Sequence, residues 1–196
     1  MSKFKDKTMI ISVGRQTGAG GRELVVKLAK KLGFEYLDQD RLLKKADEFG
    51  YFEQAYRFYN ETPVNSLLQA ISGNEMADEQ STKFIKEIYQ KLLENGDYII
   101  MGRCANCFLR GKKDFFSVFL HAPSEFKQKR LVASGISPSK VAEYMHDTDN
   151  GRARFHRYYT GEEWGGSAFY DLCINTGVCG VDNAVELIEF FITHRL

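Results

Sequence analysis

The sequence predicts an α/β fold in which a five-stranded parallel sheet carries helices on both faces. Short apolar runs alternate with amphipathic helical patterns along the 196 residues, and alternation of this kind is typical of βαβ units, whose strands pair in parallel. No linker, internal repeat or low-complexity tract interrupts the pattern. We therefore expect one domain over residues 1–196, with its ligand-binding residues at the carboxyl ends of the strands.

A glycine-rich loop separates the first predicted strand from the first predicted helix. Residues 8–13 form an apolar run, and four of the next eight residues are glycine. Backbone N–H groups of such a loop, together with the positive end of the helix dipole, bind anions such as phosphate. When the phosphate-binding pattern G-x-x-x-x-G-K-[ST] is laid on Gly20 as its second glycine, Arg15, Gly21 and Arg22 take the positions of the first glycine, the lysine and the hydroxyl residue.

The first helix and the second strand follow this loop directly. Apolar residues recur at helical spacing from Leu24 to Leu32, and Gly33 takes the position of a left-handed C-cap. Residues 34–38 read as the second strand, and Asp38 at its end either caps the next helix or faces a ligand, two roles that are compatible. Arg41, one turn later, either contacts an anionic substrate group or lies on a solvated helix face.

Residues 39–96 are too long for a plain crossover connection, and we interpret them as a helical insertion. An amphipathic helix is predicted from about residue 78 to Asn95, stopped by Gly96. The aromatic residues of the insertion either stack on a base or pack against one another. They are Phe49, Tyr51, Phe52, Tyr56, Phe58 and Tyr59.

Three further strands complete the predicted sheet. Residues 98–101 deliver Arg103 to the same edge as the glycine loop, where an arginine suits phosphate through its planar fork of donors. Residues 115–122 and 171–176 form the last two strands, and Pro123 begins the helix between them. A final amphipathic helix is predicted over residues 181–196.

A local cluster of basic residues follows a helix that we expect to be capped by Ser137. The cluster comprises Arg152, Arg154, His156 and Arg157, and a glycine-rich stretch comes directly after it. It is either the solvated end of a helix or part of a mobile arm that closes on phosphates. We predict the arm, with a lid over residues 146–168.

The overall composition narrows the class of protein. The 27 Lys and Arg residues against 26 Asp and Glu give a formal charge of +1, which is too balanced for general binding to nucleic acid or a membrane surface. No signal peptide or membrane anchor is predicted, so we expect a cytoplasmic protein. Cys104, Cys107, Cys173 and Cys179 are interpreted as small buried thiols, with a zinc site as the alternative, and no metal ligands are assigned.

Five motifs occur in order along the chain: R-Q-T-G-A-G-G-R-E at 15–23, M-G-R at 101–103, D-x-x-R at 149–152, Y-Y-T-G-x-x-W-G at 158–165 and Y-D-L-C-I-N-T at 170–176. Together they resemble the motifs of the cytidylate kinase-like proteins, in the P-loop nucleoside monophosphate kinase group. The resemblance covers nearly the whole chain. It implies a three-layer P-loop NTPase-type fold and transfer of the γ-phosphoryl group of ATP to a nucleoside monophosphate, with CMP or dCMP as the acceptor.

The resemblance also implies roles for particular residues, with small-molecule nucleotides as the partners. The helical insertion of residues 39–96 would bind the acceptor, which would contact Asp38, Arg41, Arg103 and Asn106. The catalytic charges would be Arg22, Arg103, Arg152 and Arg154. Mg²⁺ would be held mainly by nucleotide phosphates and water. ATP would contact Arg15, Gln16, Thr17, Gly18, Ala19, Gly20, Gly21, Arg22, Glu23 and Arg130.

Two positions depart from better-characterised cytidylate kinases. Gly21 stands where those proteins have the loop lysine, and Cys104 stands where they have an aspartate after Gly-Arg. Arg15 or Arg22 is then expected to supply the missing positive charge from another direction. Two other interpretations stay open: a catalytically silent nucleotide-binding or regulatory module, and a kinase for another small acceptor.

Overall fold

Five parallel strands form one sheet at the centre of the molecule, as the sequence predicts. The computed structural model describes residues 8–60 and 79–194. The strands are β1 (Ile10–Arg15), β2 (Glu35–Leu37), β3 (Tyr98–Ile100), β4 (Phe115–His121) and β5 (Leu172–Asn175). They lie in the order β2-β3-β1-β4-β5, so the strand that precedes the glycine loop is the central one.

Helices cover both faces of the sheet. They are α1 (Gly21–Leu32), α2 (Gln39–Glu48), α3 (Phe52–Asn60), α4 (Glu79–Asn95), α5 (Ala105–Phe108), α6 (Ser124–Ala133), α7 (Val141–Thr160) and α8 (Thr176–His194), with a 3₁₀ turn at Ser167–Phe169. Across the described ranges, none of them combines the length and apolar character that crossing a membrane requires.

The side chains of β1 divide the molecule into three layers because successive residues of a strand point to opposite faces. Ile11 and Val13 pack with α1 and α8 in one core, whereas Ile10 packs with the helices of the insertion in the other. Phe58 is fully buried in that second core. Phe58 therefore packs within the insertion and does not stack on a base.

Several predicted helix ends are confirmed. Gly33 ends α1 in the left-handed conformation with φ of 77°. Asp38 is the N-cap of α2, and its Oδ1 accepts a hydrogen bond from the backbone N–H of Arg41 at 3.2 Å. Helix α4 ends at Asn95, immediately before Gly96.

Other predicted boundaries differ from the structure. The prediction that Ser137 caps the next helix is wrong, because the Ser137 hydroxyl bonds that of Ser139 while Lys140 N–H bonds Ser137 O, and α7 begins after this turn. The last helix starts at Thr176, and Gly180 interrupts it before the segment expected from Val181. Residues 1–7, 61–78 and 195–196, which include parts of the predicted insertion and last helix, lie outside the described residues.

Candidate functional site

A cavity of about 670 Å³ lies at the carboxyl ends of the central strands. Its wall is built by β1, by the turn after β3, by the start of α2 and by the inner face of α7. Parallel strands present their carboxyl ends at one edge of the sheet, which is why distant parts of the sequence meet there. Six of the residues proposed from the sequence line this cavity: Arg15, Arg22, Asp38, Arg103, Asn106 and Arg152.

The Arg15 side chain occupies the space over two glycines. A methyl group built on Gly21 would lie 2.6 Å from Arg15 Cγ, and one built on Gly102 would lie 2.5 Å from Arg15 Nη1. Real Cβ atoms do not approach other atoms so closely. Arg15 therefore fills the position at which a loop lysine would begin, and Gly21 and Gly102 leave room for it.

Three guanidinium groups influence one another in the cavity. Burial, with the positive charges of Arg152 and Arg103, lowers the pKa of Arg15 to about 9. Burial also lowers the pKa of Arg152, although the nearby Asp149 carboxylate opposes this. A group of cations that disfavour one another's charge is stabilised by an anion placed among them. The arrangement is suited to binding phosphoryl groups.

Arg103 lies on a strained turn and is held by aromatic rings. Gly102, Arg103 and Cys104 have φ of 86°, 56° and 63°, so three consecutive residues are left-handed. The Arg103 guanidinium lies 4.3 Å from the ring centre of Phe155 and 5.3 Å from that of Tyr59. Non-glycine residues in this region cost about 1 to 3 kcal/mol each and are concentrated at functional sites.

The glycine loop has the geometry of an anion-binding loop. Gly18 and Gly20 have φ of 83° and 84°, and α1 begins directly afterwards. The first-turn N–H groups of a helix have no acceptor within that helix, so they are free to face an anion. Two contacts fix the loop from behind: the Thr176 hydroxyl donates to Ala19 O at 2.8 Å, and Lys127 Nζ donates to Gln16 Oε1 at 3.0 Å.

Helix α7 is joined to the glycine loop by polar contacts. Asp149 Oδ1 accepts from Thr17 N at 2.8 Å and from Thr17 Oγ1 at 2.6 Å. Arg152 Nη1 donates to Thr17 Oγ1 at 2.8 Å and to Arg15 O at 3.3 Å. The predicted lid of residues 146–168 begins inside this helix, which continues to Thr160. We call the Thr17, Asp149 and Arg152 contacts the clasp.

Other predicted site residues lie outside the cavity. The Arg41 guanidinium lies 3.8 Å from the ring centre of Tyr36, and Arg41 is exposed. Arg130 forms an ion pair with Glu23 at 2.6 Å beside the loop. Arg154 is exposed on α7 and does not line the cavity. Their proposed contacts with nucleotides stay predictions.

The structure adds Ser12 and Lys127, to which the sequence assigned no role, and shows the surroundings of His156 and Asp149, which the sequence placed in the basic cluster and in the D-x-x-R motif. Ser12 and His156 are both buried and both line the cavity, yet Ser12 Oγ and His156 Nε2 have no hydrogen-bond partner among the described residues. Asp149 had a place in that motif but no stated contact, and its spacing of three residues from Arg152 on a helical pattern was the signal for its part in the clasp. Lys127 gave no comparable signal.

One of the four cysteines, Cys104, lines this cavity. All four thiols are free, and burial raises the pKa of Cys104, which is buried in the cavity wall. Within residues 8–60 and 79–194, no group of three or more histidine, cysteine, aspartate or glutamate side chains is placed to hold a metal ion.

The parallel sheet of order 2-3-1-4-5, with a glycine loop after its central strand, defines a P-loop kinase fold. The sequence profile described as the cytidylate kinase-like family matches residues 10–178. The chain belongs to this family. Among curated protein sequences, no significant match was found.

Solved structures agree with this assignment of the fold. An uncharacterised protein from Eubacterium ventriosum is 25% identical with a TM-score of 0.72, over 96% of this chain and 100% of the other. Shikimate kinase from Acinetobacter baumannii, in complex with shikimate, is 18% identical with a TM-score of 0.52, over 98% and 97% of the two chains. Shikimate kinase from Bacteroides thetaiotaomicron is 15% identical with a TM-score of 0.50, over 94% and 98%.

Proposed function

We propose that the protein is a nucleoside monophosphate kinase that transfers the γ-phosphoryl group of ATP to a pyrimidine nucleoside monophosphate such as CMP or dCMP. The observation that carries the proposal is the meeting of Arg15, Arg103 and Arg152 in one cavity beside the glycine loop. Phosphoryl transfer needs positioned positive charge rather than a nucleophilic side chain, because negative charge is spread over the transferring group. Preference for cytosine rests on membership of the family.

Different residues around the cavity bind the donor nucleotide and the acceptor nucleotide. The N–H groups at the start of α1 and the glycine loop bind the donor phosphates, and Arg15 supplies the charge that a loop lysine gives elsewhere. Arg103 faces the phosphate of the acceptor, while Asp38 and Asn106 contact its sugar or base. Arg152, held by the clasp, neutralises charge on the group in transfer. Arg22 lies at the cavity entrance on the first turn of α1.

Two features of the chain fit ATP and Mg²⁺ as the donor pair. Gly18 and Gly20 allow the left-handed backbone of the loop to pack closely against Lys127 and Val181, and the start of α1 adds the positive end of a helix dipole. Mg²⁺ supplies charge neutralisation of the phosphates when it is bound. Glu23 and Arg130 form an ion pair beside the loop, and the proposal gives both a contact with the donor.

A silent nucleotide-binding module is the second candidate. Gly21 in the lysine position favours it, because a binding protein needs no charge that follows the phosphoryl group. The half-buried cluster of arginines favours the kinase, since mutual repulsion among them is a cost that binding through backbone N–H groups alone would not require. A kinase for another small acceptor shares the donor site and differs in what the insertion binds.

The deciding experiment follows diphosphate formation with Mg²⁺-ATP and a panel of nucleoside monophosphates, with shikimate as a hydroxyl acceptor. We expect turnover with CMP or dCMP. Arg152→Ala and Arg22→Ala should each lower kcat much more than they weaken ATP binding, and Arg57→Ala on the exposed face of α3 is the matched control. ATP binding without turnover of any acceptor would sink the kinase proposal and leave the silent module.

A further inference from the structure

The turn that carries Arg103 needs an outside contact to stay in its conformation. Gly102 adopts positive φ without cost, but Arg103 and Cys104 do not, and no other non-glycine residue in the described ranges has positive φ. Two strained residues in succession would relax toward ordinary backbone angles unless neighbouring groups opposed it. Relaxation there would swing the Arg103 side chain, because φ and ψ set the direction of the Cα–Cβ bond.

Tyr89 on α4 makes the contact that opposes this relaxation. Its hydroxyl donates a hydrogen bond to the backbone oxygen of Arg103 at 2.8 Å. The ring is fully buried in the core of the insertion, so its position is fixed by packing. Burial also raises the pKa of Tyr89 well above its usual value, so the hydroxyl keeps its proton and remains a donor.

The Arg103 guanidinium itself has no polar anchor among residues 8–60 and 79–194. Within the described part of the chain, no carboxylate forms an ion pair with it, and its neighbours are the faces of Phe155 and Tyr59. Cation–π contacts hold a cation near a ring without fixing its rotation. The direction of the side chain is therefore set by the backbone turn, and Tyr89 donates its hydrogen bond to that turn.

We propose that Tyr89 is a positioning residue, whose hydroxyl holds the left-handed turn at Arg103 and so keeps the Arg103 guanidinium aimed at the acceptor phosphate. The inference rests on the proposed function for the identity of the acceptor. The hydrogen bond from Tyr89 to Arg103 O then connects the helical insertion to the reacting end of the cavity. Tyr89 touches neither nucleotide, and its effect passes through Arg103.

The test removes the hydroxyl and keeps the ring. Tyr89→Phe should lower kcat/KM for the nucleoside monophosphate about tenfold, the scale of one lost hydrogen bond at a strained site, with ATP affinity in the absence of acceptor unchanged within about twofold. In an Arg103→Ala background the same substitution should change kcat/KM by less than about twofold, because the group through which Tyr89 acts is already gone.

Tyr51→Phe is the matched control. The Tyr51 hydroxyl donates to Glu87 Oε2 at 2.6 Å, on the same helix α4, and Tyr51 does not line the cavity. It should lose a similar amount of thermal stability and keep wild-type kcat/KM. An equal loss of kcat/KM in Tyr51→Phe, or an undiminished tenfold loss in the Arg103→Ala background, would overturn the positioning role.

Crystal structures of the wild type and Tyr89→Phe give a readout that does not need activity. We expect Arg103 to leave positive φ and to move off the Phe155 ring in the variant. An unchanged turn and guanidinium position would refute the inference. If the wild type phosphorylates no acceptor, the proposed function fails by itself, and the two crystal structures still decide whether Tyr89 holds Arg103.

Discussion

Replacing Arg15 by methionine is expected to stabilise the unliganded protein and to inactivate it. The substitution keeps an unbranched side chain over Gly21 and Gly102 and removes the positive charge. In the wild type, burial and the positive charges of Arg152 and Arg103 disfavour the charged form of Arg15 and lower the pKa of its guanidinium to about 9. Taking the charge away removes the repulsion and also the cation that faces the phosphoryl group.

The pKa gives the size of the effect on stability. A fall from the usual value of 12.5 to about 9 corresponds to a penalty of ~5 kcal/mol on the charged form. Arg15 is only half-buried, and water in the open cavity screens part of the repulsion. We therefore expect the free energy of unfolding to rise by about 1 to 2 kcal/mol at pH 7.

The assay pairs urea unfolding with steady-state kinetics. For Arg15→Met, the urea midpoint should rise while kcat falls by about 10³-fold or more, the range found for a charge that stabilises a transferring phosphoryl group. Inorganic pyrophosphate should raise the thermal midpoint of the wild type much more than that of the variant, since an anion relieves the same repulsion. Arg57→Met, at an exposed position on α3, should leave both measurements unchanged.

A lower urea midpoint for Arg15→Met would refute the electrostatic reasoning, because it would mean that the arginine stabilises the empty site. Wild-type kcat with a raised midpoint would refute the catalytic role alone. The two parts of the prediction therefore fail separately.

Three other changes test the surroundings of this site. Gly21→Lys restores the usual loop pattern but should lower kcat, because its Cβ would lie 2.6 Å from Arg15 Cγ and displace that side chain; an unchanged or higher kcat would show that Arg15 is dispensable. Asp149→Asn weakens the clasp to Thr17, so hydrogen exchange over residues 141–160 should speed up by about tenfold, and unchanged exchange would show that α7 is held elsewhere. Ser12→Ala removes a buried hydroxyl that has no partner among the described residues and should raise the free energy of unfolding by up to about 1 kcal/mol in urea, whereas a loss would show that a water satisfies it.

The elements of the fold could be predicted because their signals are local. The apolar run before the glycine loop, the helical spacing up to Leu32 and the left-handed cap at Gly33 each follow from a few neighbouring residues, and the structure has all three. The start of α7 could not be predicted in this way. Ser137 and Pro138 are typical residues for a helix start. In the structure, however, the Ser137 hydroxyl bonds the Ser139 hydroxyl instead of capping α7.

The site could be predicted only in part because its geometry depends on residues far apart in the sequence. The strand ends indicated that Arg15, Asp38 and Arg103 would share one edge of the sheet, and all three line the cavity. Nothing in the sequence reveals that Arg15 packs over Gly102, or that Tyr89 reaches Arg103 O. These contacts depend on how the insertion and the turn after β3 are placed in space, and no spacing rule specifies that.

The position of the Arg15 side chain limits which residues relatives in this family can have at the neighbouring positions. Because the side chain at position 15 fills the space above positions 21 and 102, the three positions should change together during evolution rather than one at a time. A relative with a short residue at position 15 is expected to have room for lysine at position 21, whereas a relative that keeps arginine at position 15 is expected to keep glycine at position 21. The missing lysine at position 21 and the presence of Arg15 are then expected to be linked, and covariation among these three positions would test that link.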